Sequence, residues 1–459
     1  MWGNYNGTPR QTITILDGIK SRLKKNQVIT FKGCDLVNDQ TLDSYYDQCS
    51  MDGKMGFKGT FWNNRKMEGK PVTITQEKNP VQVTTYGQHS FAPNVKLTDF
   101  SAKYETVFRP KQTDKVLLDV AGCGHYEVYL NGEKKAEQSI WRTTDSRIEF
   151  EGEKGKVYKI EIRYADIPTY NADIKISIGH ETPIDYTASI QKLKDCETVV
   201  FVGGIAPQLE GEEMPVNLPG FKGGDRTDIE LPQVQRAFLQ ALKKAGKKIV
   251  FINCSGSAMA LTPETQSCDA ILQAWYPGQE GGEAVARVLF GEYNPSGKLP
   301  VTFYRDSKQL PDFKDYSMKG RTYRYMNDAL FPFGYGKSYT SFNIGDAKLS
   351  SSNLKKGEQI KLTVPVSNVG KKDGTEVVQV YVKDPTDTDG PLKTLKAYQR
   401  IEVKAGATAQ AVITLDSENF ELFDAATNTV RAKAGNYEVY YGNSSADKDL
   451  KKIMVNYEY

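Results

Sequence analysis

The sequence predicts a multidomain chain: an α/β domain interrupted by an all-β insert and followed by an all-β tail. Three observations carry that expectation. Apolar runs alternating with amphipathic helical patterns occur in 1–51 and again in 183–342. In 52–182 and 343–459 the periodicity switches to two, with turn residues between short runs. Finally, 459 residues are more than a single hydrophobic core organises.

In 1–51, QTITILDGIKSRLKK sets Ile15, Ile19 and Leu23 on one helical face, and VITFKGCD (28–35) reads as a short strand. The loop GNYNGTP (3–9) precedes this helix with no strand ahead of it, although such loops ordinarily join a strand to a helix. In 52–182, YEVYLNGEKK puts Asn131-Gly132 at a hairpin turn, and KVLLDV and KVYKIEIRYA alternate apolar with polar residues. A β-sandwich or barrel is expected there. In 183–342, TVVFVGG, KKIVFINCSG and DAILQAWYPG read as strands. ELPQVQRAFLQALKKAG and GGEAVARVLFG read as helices, the first with Pro232 near its start and Gly246 as its stop. Its apolar stripe is Val234, Phe238, Ala241, Leu242 and Ala245. Wholly apolar strands imply a parallel sheet covered on both faces, with sites at the carboxyl ends of the strands. Three loops lie at such ends: the one carrying Glu210, Glu212 and Glu213, the one carrying Ser255-Gly256, and the one carrying Trp275-Tyr276. In 343–459, IKLTVPVSNVG, EVVQVYVKD, AQAVITLD and AGNYEVYYG are spaced as in a small Greek-key sandwich. Residues 1–51 cannot bury a core alone, so the two α/β pieces are expected to share one sheet.

Composition excludes several function classes. Net charge is +3, and KSRLKK (20–25) and KKAGKK (243–248) are short runs of the kind found at solvated helix ends, so no nucleic-acid partner is expected. No run of 18 apolar residues predicts a membrane span, and MWGNYNGTPR lacks the pattern of a secretory signal. The six cysteines form no C-x-x-C pair, and Cys254, in an apolar strand, is expected to be a buried free thiol. The three histidines are widely separated, so neither a metal site nor a Ser-His-Asp triad is expected. Gly203-Gly204 lacks the third glycine and the following acid of a dinucleotide loop. No cofactor is implied. Carboxylates remain the candidates for chemistry, and crowded carboxylates hold a proton more readily than isolated ones. The 26 tyrosines and four tryptophans suit a sugar-handling surface or plain packing equally well.

YPGQEGGEAVARVLFGEYNPSGKLPVTF (276–303), GRTYRYM (320–326) and FPFGYGKSYT (331–340) resemble the C-terminal half of glycoside hydrolase family 3, the β-glucosidases and β-xylosidases. GNYNGTP resembles the first loop of that family's α/β sandwich domain. Residues 52–182 resemble the protective-antigen-type β domain inserted in some members, and 343–459 the family's fibronectin type III-like domain. The resemblance implies a retaining β-glycosidase acting on terminal β-xylosyl or β-glucosyl residues of an oligosaccharide. In such a site an N-terminal (β/α)₈ barrel supplies a nucleophilic Asp, and the α/β sandwich supplies the acid/base Glu from a loop. No barrel stands in these residues, so the chain is expected to be a portion of that enzyme, inactive without the barrel. LEGEEM matches the family pattern E-x-E-x-M, which makes Glu212 the first choice for the acid/base, Glu210 the second and Glu213 the third. An ordinary solvated acidic loop is the bland alternative. The family's other pattern is E-G-x-D-R, but here ten residues (MPVNLPGFKG) plus a glycine separate the glutamates from Asp225-Arg226, so either register stays open. Asp225 and Arg226 are expected to pair and shape the loop. Tyr5 and Thr8 are candidates to line the sugar, or to belong to a turn that caps the helix. Glu280 and Glu283 read as acids at a helix start. Arg321, Tyr323 and the turn FGYG (333–336) are expected to tie the sandwich to the tail. The resemblance also implies a periplasmic or extracellular setting and is compatible with a homodimer. A reading of another class stays open: a carbohydrate-binding module without catalysis.

Overall fold

The structure is a computed structural model, described here for residues 7, 9–24, 27–169, 171–207, 209–210 and 217–459. The described residues form two compact units. One is Asn38–Tyr186; the other gathers the residues up to Val37, those from Thr187 to Glu210 and those from Leu218 to the C-terminus.

Asn38–Tyr186 is all-β. Its sheet has eleven strands, with the path Gln40–Ser44, Asp173–Pro183, Asp114–Leu130, Tyr158–Ala165, Ser101–Phe108, Cys49–Met51 and Lys54–Met55. Gln40–Ser44 and Cys49–Met51, both upstream of residue 52, thus pair inside this unit. Period-two patterning does what it should. Along Asp114–Leu130 buried and half-exposed residues alternate, and Val116, Leu118, Val120, Tyr126 and Val128 enter a core built around Phe57, Phe100, Tyr104 and Tyr164. Leu130 pairs with Glu133 across a two-residue turn in which Asn131 and Gly132 have φ of 53° and 82°. Both angles are positive, the geometry that asparagine and glycine reach at least cost.

In the second unit, Thr198–Gly204, Lys248–Cys254 and Ala270–Gln273 form a parallel sheet in that order. The helix Gln233–Lys244 lays Val234, Phe238, Leu239 and Leu242 inward, with Phe238 against Phe201, and Gly246 at φ +74° follows it; of the expected stripe, Ala241 is only half-buried and Ala245, past the helix end, is exposed. Arg236 on this helix makes a two-pronged ion pair with Glu264 (2.7 and 3.3 Å), whose side chain is only 1% exposed. The helix Ile15–Lys20 opens on a reciprocal cap between Thr14 and Asp17. It packs on the helix Gly281–Leu289, and Ile15, Ile252 and Val285 share one apolar cluster. The described part of the first piece therefore packs a helix, and adds no strand, on the sheet of the second.

Three expectations need correction. The helix stops at Lys20, short of Leu23. VITFKGCD forms no strand: Ile29 is exposed, and the segment instead lies over Gln233–Lys244, where Gln235 donates to the Leu36 carbonyl (2.7 Å) and Gly33 sits against the Phe238 ring. A β-prone run needs a neighbouring strand to bond with, and none is alongside. The sheet is not covered throughout. Val200 and Val202 on the outer strand are 37% and 47% exposed, because the cluster formed by Ile15–Lys20 and Gly281–Leu289 centres on the middle strand.

The C-terminal portion pairs a sheet built on Ile360–Asn368 and Thr408–Leu415 with a five-stranded sheet running Asn353–Lys355, Leu450–Glu458, Gly435–Gly442, Gly374–Lys383 and Thr394–Val403. Leu362, Val364, Val380, Val382, Val439 and Val455 fill the space between them. Tyr323 and the turn at 333–336 join this sandwich to the α/β part as expected. Tyr323 OH accepts from the Leu395 amide (3.1 Å), Gln379 donates to the Gly334 carbonyl (3.0 Å), and the Ser445 amide donates to the Phe333 carbonyl (2.9 Å). Arg321 takes no part in this joint. It donates to the carbonyls of Asp312, Asp315 and Ser317 in its own loop, because the turn 310–320 folds back around it. Among the described residues no helix is long and apolar enough to cross a membrane.

One ion pair in this sandwich sets a pH limit. Asp424 accepts from Arg431 Nε and Nη2 (2.8 and 2.5 Å), which holds its carboxyl at about 2 against an ordinary 3.8. The folded value is the lower one, so the pair stabilises the hairpin Leu422–Asp424/Thr429–Arg431 fully above the ordinary value. That stability is lost as pH falls through about 2. Protection of the hairpin amides, taken against the unstructured exchange rate at each pH, is expected to hold down to the ordinary carboxylate range and to fall below it. Arg431→Gln is expected to remove the largest part of the step, the Ala426 amide, Thr427 and Lys433 keeping the rest.

Candidate active site

The carboxyl ends of the three parallel strands meet in a polar floor. Asn253 donates to Gln273 Oε1 (2.6 Å), Gln273 donates to Ser255 Oγ (3.0 Å), and Ser255 donates to the Ser257 carbonyl (2.9 Å). Asn253 and Ser255 are fully buried, so these bonds satisfy the Asn253 amide nitrogen and the Ser255 hydroxyl where water does not reach, while Asn253 Oδ1 is left without a partner. The outer strand leaves the sheet at Gly204. Its φ is +115°, and a Cβ there would stand 2.0 Å from the Cys254 carbonyl oxygen, so only glycine lets the chain turn this close to its neighbour. Gln235 holds the exit at both backbone groups, accepting from Gly204 N (2.8 Å) and donating to Gly204 O (2.7 Å).

Past that exit the chain makes one turn, in which the Leu209 and Glu210 amides both donate to the Ala206 carbonyl (2.9 and 3.3 Å). Glu210 is thereby set over the floor. Its Oε1 accepts from Ser257 Oγ (3.0 Å) and its Oε2 from Tyr276 OH (2.7 Å). Arg226, on the short strand Asp225–Arg226, donates to Ser257 Oγ (3.0 Å) and to the carbonyls of Ala258 (3.2 Å) and Glu230 (3.4 Å). Burial pushes the Arg226 pKa down, opposed by the negative charge of Glu210. Burial likewise raises the Tyr276 phenol, and its bond to Glu210 raises it further.

Of the candidate residues, Glu210 is placed at the end of the first strand. Glu212, Glu213, Tyr5 and Thr8 lie outside the described residues. Asp225 and Arg226 do not pair. They follow one another in a strand, so their side chains leave on opposite faces, Asp225 exposed and Arg226 toward Ser257. Tyr276 is brought to Glu210. Its neighbour Trp275, at φ +55°, turns away edge-on to Phe303. Glu280 and Glu283 have the structural role read for them: Gln11 donates to Glu280 (3.1 Å), and Arg22 bridges Glu283 (2.7 Å) and Glu292 (2.5 Å). Cys254 is a free thiol, half-buried rather than buried, because it ends its strand at the edge of the floor. Ser257 was not singled out in the sequence. Its one signal is position, two residues past Ser255 in the same post-strand loop.

His125, Glu127 and Glu137 are the one group among the described residues with the spacing to hold a metal ion. Lys134 already bridges its two carboxylates at 2.6 and 2.7 Å, so a cation's place there is taken by the ammonium group.

Comparison with known proteins follows the same outline. Residues 1–339 match the Glycosyl hydrolase family 3 C-terminal domain, and residues 376–445 match the Fibronectin type III-like domain. The chain is 55% identical over 457 residues to a protein of Xylanibacter ruminicola named Xylan 1,4-beta-xylosidase, an alignment covering 99% of this chain and 53% of that protein. It is 36% identical over 272 residues to the Periplasmic beta-glucosidase of Salmonella typhimurium, covering 56% of this chain and 34% of that one. The crystal structure of Beta-glucosidase from Kluyveromyces marxianus in complex with glucose superposes with a TM-score of 0.66 over 99% of this chain and 57% of that chain, at 24% identity, a likeness of fold. The chain thus spans about half the length of the first of these relatives.

Proposed function

The chain belongs to glycosyl hydrolase family 3, and from that premise we propose that it is the C-terminal half of a retaining β-glycosidase. Its substrates are terminal β-xylosyl or β-glucosyl residues of oligosaccharides, with the xyloside favoured by the 55% identity to a protein named as a xylosidase. The observation that carries the reading is the acidic loop leaving the carboxyl end of the first strand, with its base fastened to the polar floor by Glu210. Retaining hydrolysis needs a nucleophile and an acid/base about 5–5.5 Å apart. The acidic loop after the first strand supplies the acid/base, Glu212 first and Glu210 second. It donates a proton to the leaving oxygen and then takes one from the attacking water. The nucleophile belongs to a barrel domain that the relatives' extra length accommodates. Tyr5 and Thr8 contact the sugar. We read Asn38–Tyr186 as a protective-antigen-type insert between the two parts of the α/β sandwich, and the complete enzyme as periplasmic or extracellular.

The purified chain is expected to show no turnover of aryl β-xylosides or aryl β-glucosides, and the same chain joined to a barrel half is expected to hydrolyse them. A progress curve of phenol release reads both. Enzymatic turnover by the chain alone would overturn the divided site, and none by the joined enzyme would overturn the glycosidase reading.

A further inference from the structure

We propose that Glu210 is a positioning residue: with Ser257, Tyr276 and Arg226 it clamps both ends of the acidic loop to the strand ends. Its meaning for catalysis rests on the function proposed above; the clamp itself does not.

The geometry begins with a shared hydroxyl. Ser257 Oγ donates to Glu210 Oε1 on the near side of the loop and accepts from Arg226 Nη1 on the far side. Glu210, ahead of residue 211, and Arg226, after residue 224, are therefore held at one point on the floor. Arg226 is fastened twice more, at the carbonyls of Ala258 and Glu230, and its strand pairs with Phe221–Lys222. Tyr276 closes the other side of Glu210. The space among these groups is filled: a Cβ on Gly256 would lie 2.8 Å from the Tyr276 ring and 3.0 Å from Glu210 Oε2.

This arrangement separates Glu210 from the role of proton donor. A general acid must direct its own O–H at the leaving oxygen. Both Glu210 oxygens instead face hydroxyl donors that belong to the protein, and Arg226 stands next to the same hydroxyl. Its two oxygens are used to hold Tyr276 and Ser257 in place. A guanidinium and a carboxylate joined through one serine also make a network whose members depend on one another, so removing one is expected to weaken the rest.

The test has two arms. In the chain, amide exchange of 205–218 is compared for wild type, Glu210→Gln and Tyr276→Phe. Both variants are expected to speed exchange there by about tenfold or more, as loss of a hydrogen bond to a charged group implies. Unchanged exchange in the helix Gly281–Leu289 shows that the fold is intact, and unchanged exchange in 205–218 would overturn the clamp. In the enzyme completed by its barrel, Glu210→Gln is expected to lower kcat by a similar factor for good and poor leaving groups alike, with no azide product and an unshifted pH profile. A loss that steepens with leaving-group pKa and is rescued by azide would make Glu210 the acid/base and overturn its positioning role. If the completed wild type hydrolyses nothing, the function reading fails, and the exchange arm still decides the clamp.

Discussion

Glu212→Gln in the completed enzyme is expected to lower turnover of a β-xyloside with a poor leaving group by on the order of 10²–10⁴, the range attached to a positioned proton donor. The amide keeps the shape of the side chain and removes the proton. Substrates with a good leaving group do not need that proton for the first step, so glycosyl transfer to the enzyme is expected to stay fast with them. The second step then limits, because no base activates water. Azide needs no such base and is expected to restore turnover with a β-glycosyl azide as product, the configuration that two inversions give. Initial rates across a series of aryl xylosides, with the azide product identified, check both halves. A loss of equal size for every leaving group would remove Glu212 from the role.

Arg236→Met is expected to cost about 3–5 kcal/mol in the α/β sheet domain, because it leaves Glu264 without its partner where water does not reach it. Arg236 also donates to the Ala260 carbonyl (3.2 Å), so the loss extends to the connection before the helix Thr262–Ser267. With two compact units in the chain, a whole-molecule unfolding curve mixes two transitions. Exchange of the Gln233–Lys244 amides isolates the effect and is expected to rise roughly a hundredfold or more. The double variant Arg236→Met/Glu264→Leu is expected to regain most of this, since replacing both charges with apolar groups of similar size removes the desolvation cost together with the attraction. A double variant as unstable as the single one would mean that packing around Arg236, rather than the stranded charge, sets the cost.

Much of the fold was legible because it is written in local chemistry. Asn131-Gly132 specifies its turn through two positive φ angles, and Gln233–Lys244 shows its buried stripe at helical spacing. VITFKGCD misled because its pattern describes a side chain's preference, while a strand also needs a backbone beside it. The exposed Val200 and Val202 misled in the same way: an apolar strand does not announce which of its faces is covered. The acidic loop could be located from the strand and glycine pair before it. Its clamp could not, because Ser257 and Tyr276 stand 47 and 66 residues from Glu210 and meet it only when three strand ends align. Adjacency in sequence was misleading for Asp225 and Arg226, which alternate across a strand and so cannot act on the same group.

The shared hydroxyl of Ser257 also changes what length means for the loop between its two ends. A segment whose ends are fixed at one point is a closed ring in the polymer sense. The entropy of closing it grows only with the logarithm of its length, about 0.6 kcal/mol for each doubling. Insertions ahead of the paired strands Asn217–Leu218, Phe221–Lys222 and Asp225–Arg226 are therefore expected to be cheap while both ends hold. A change of length there is expected to reshape what the loop covers without rebuilding the floor that carries it.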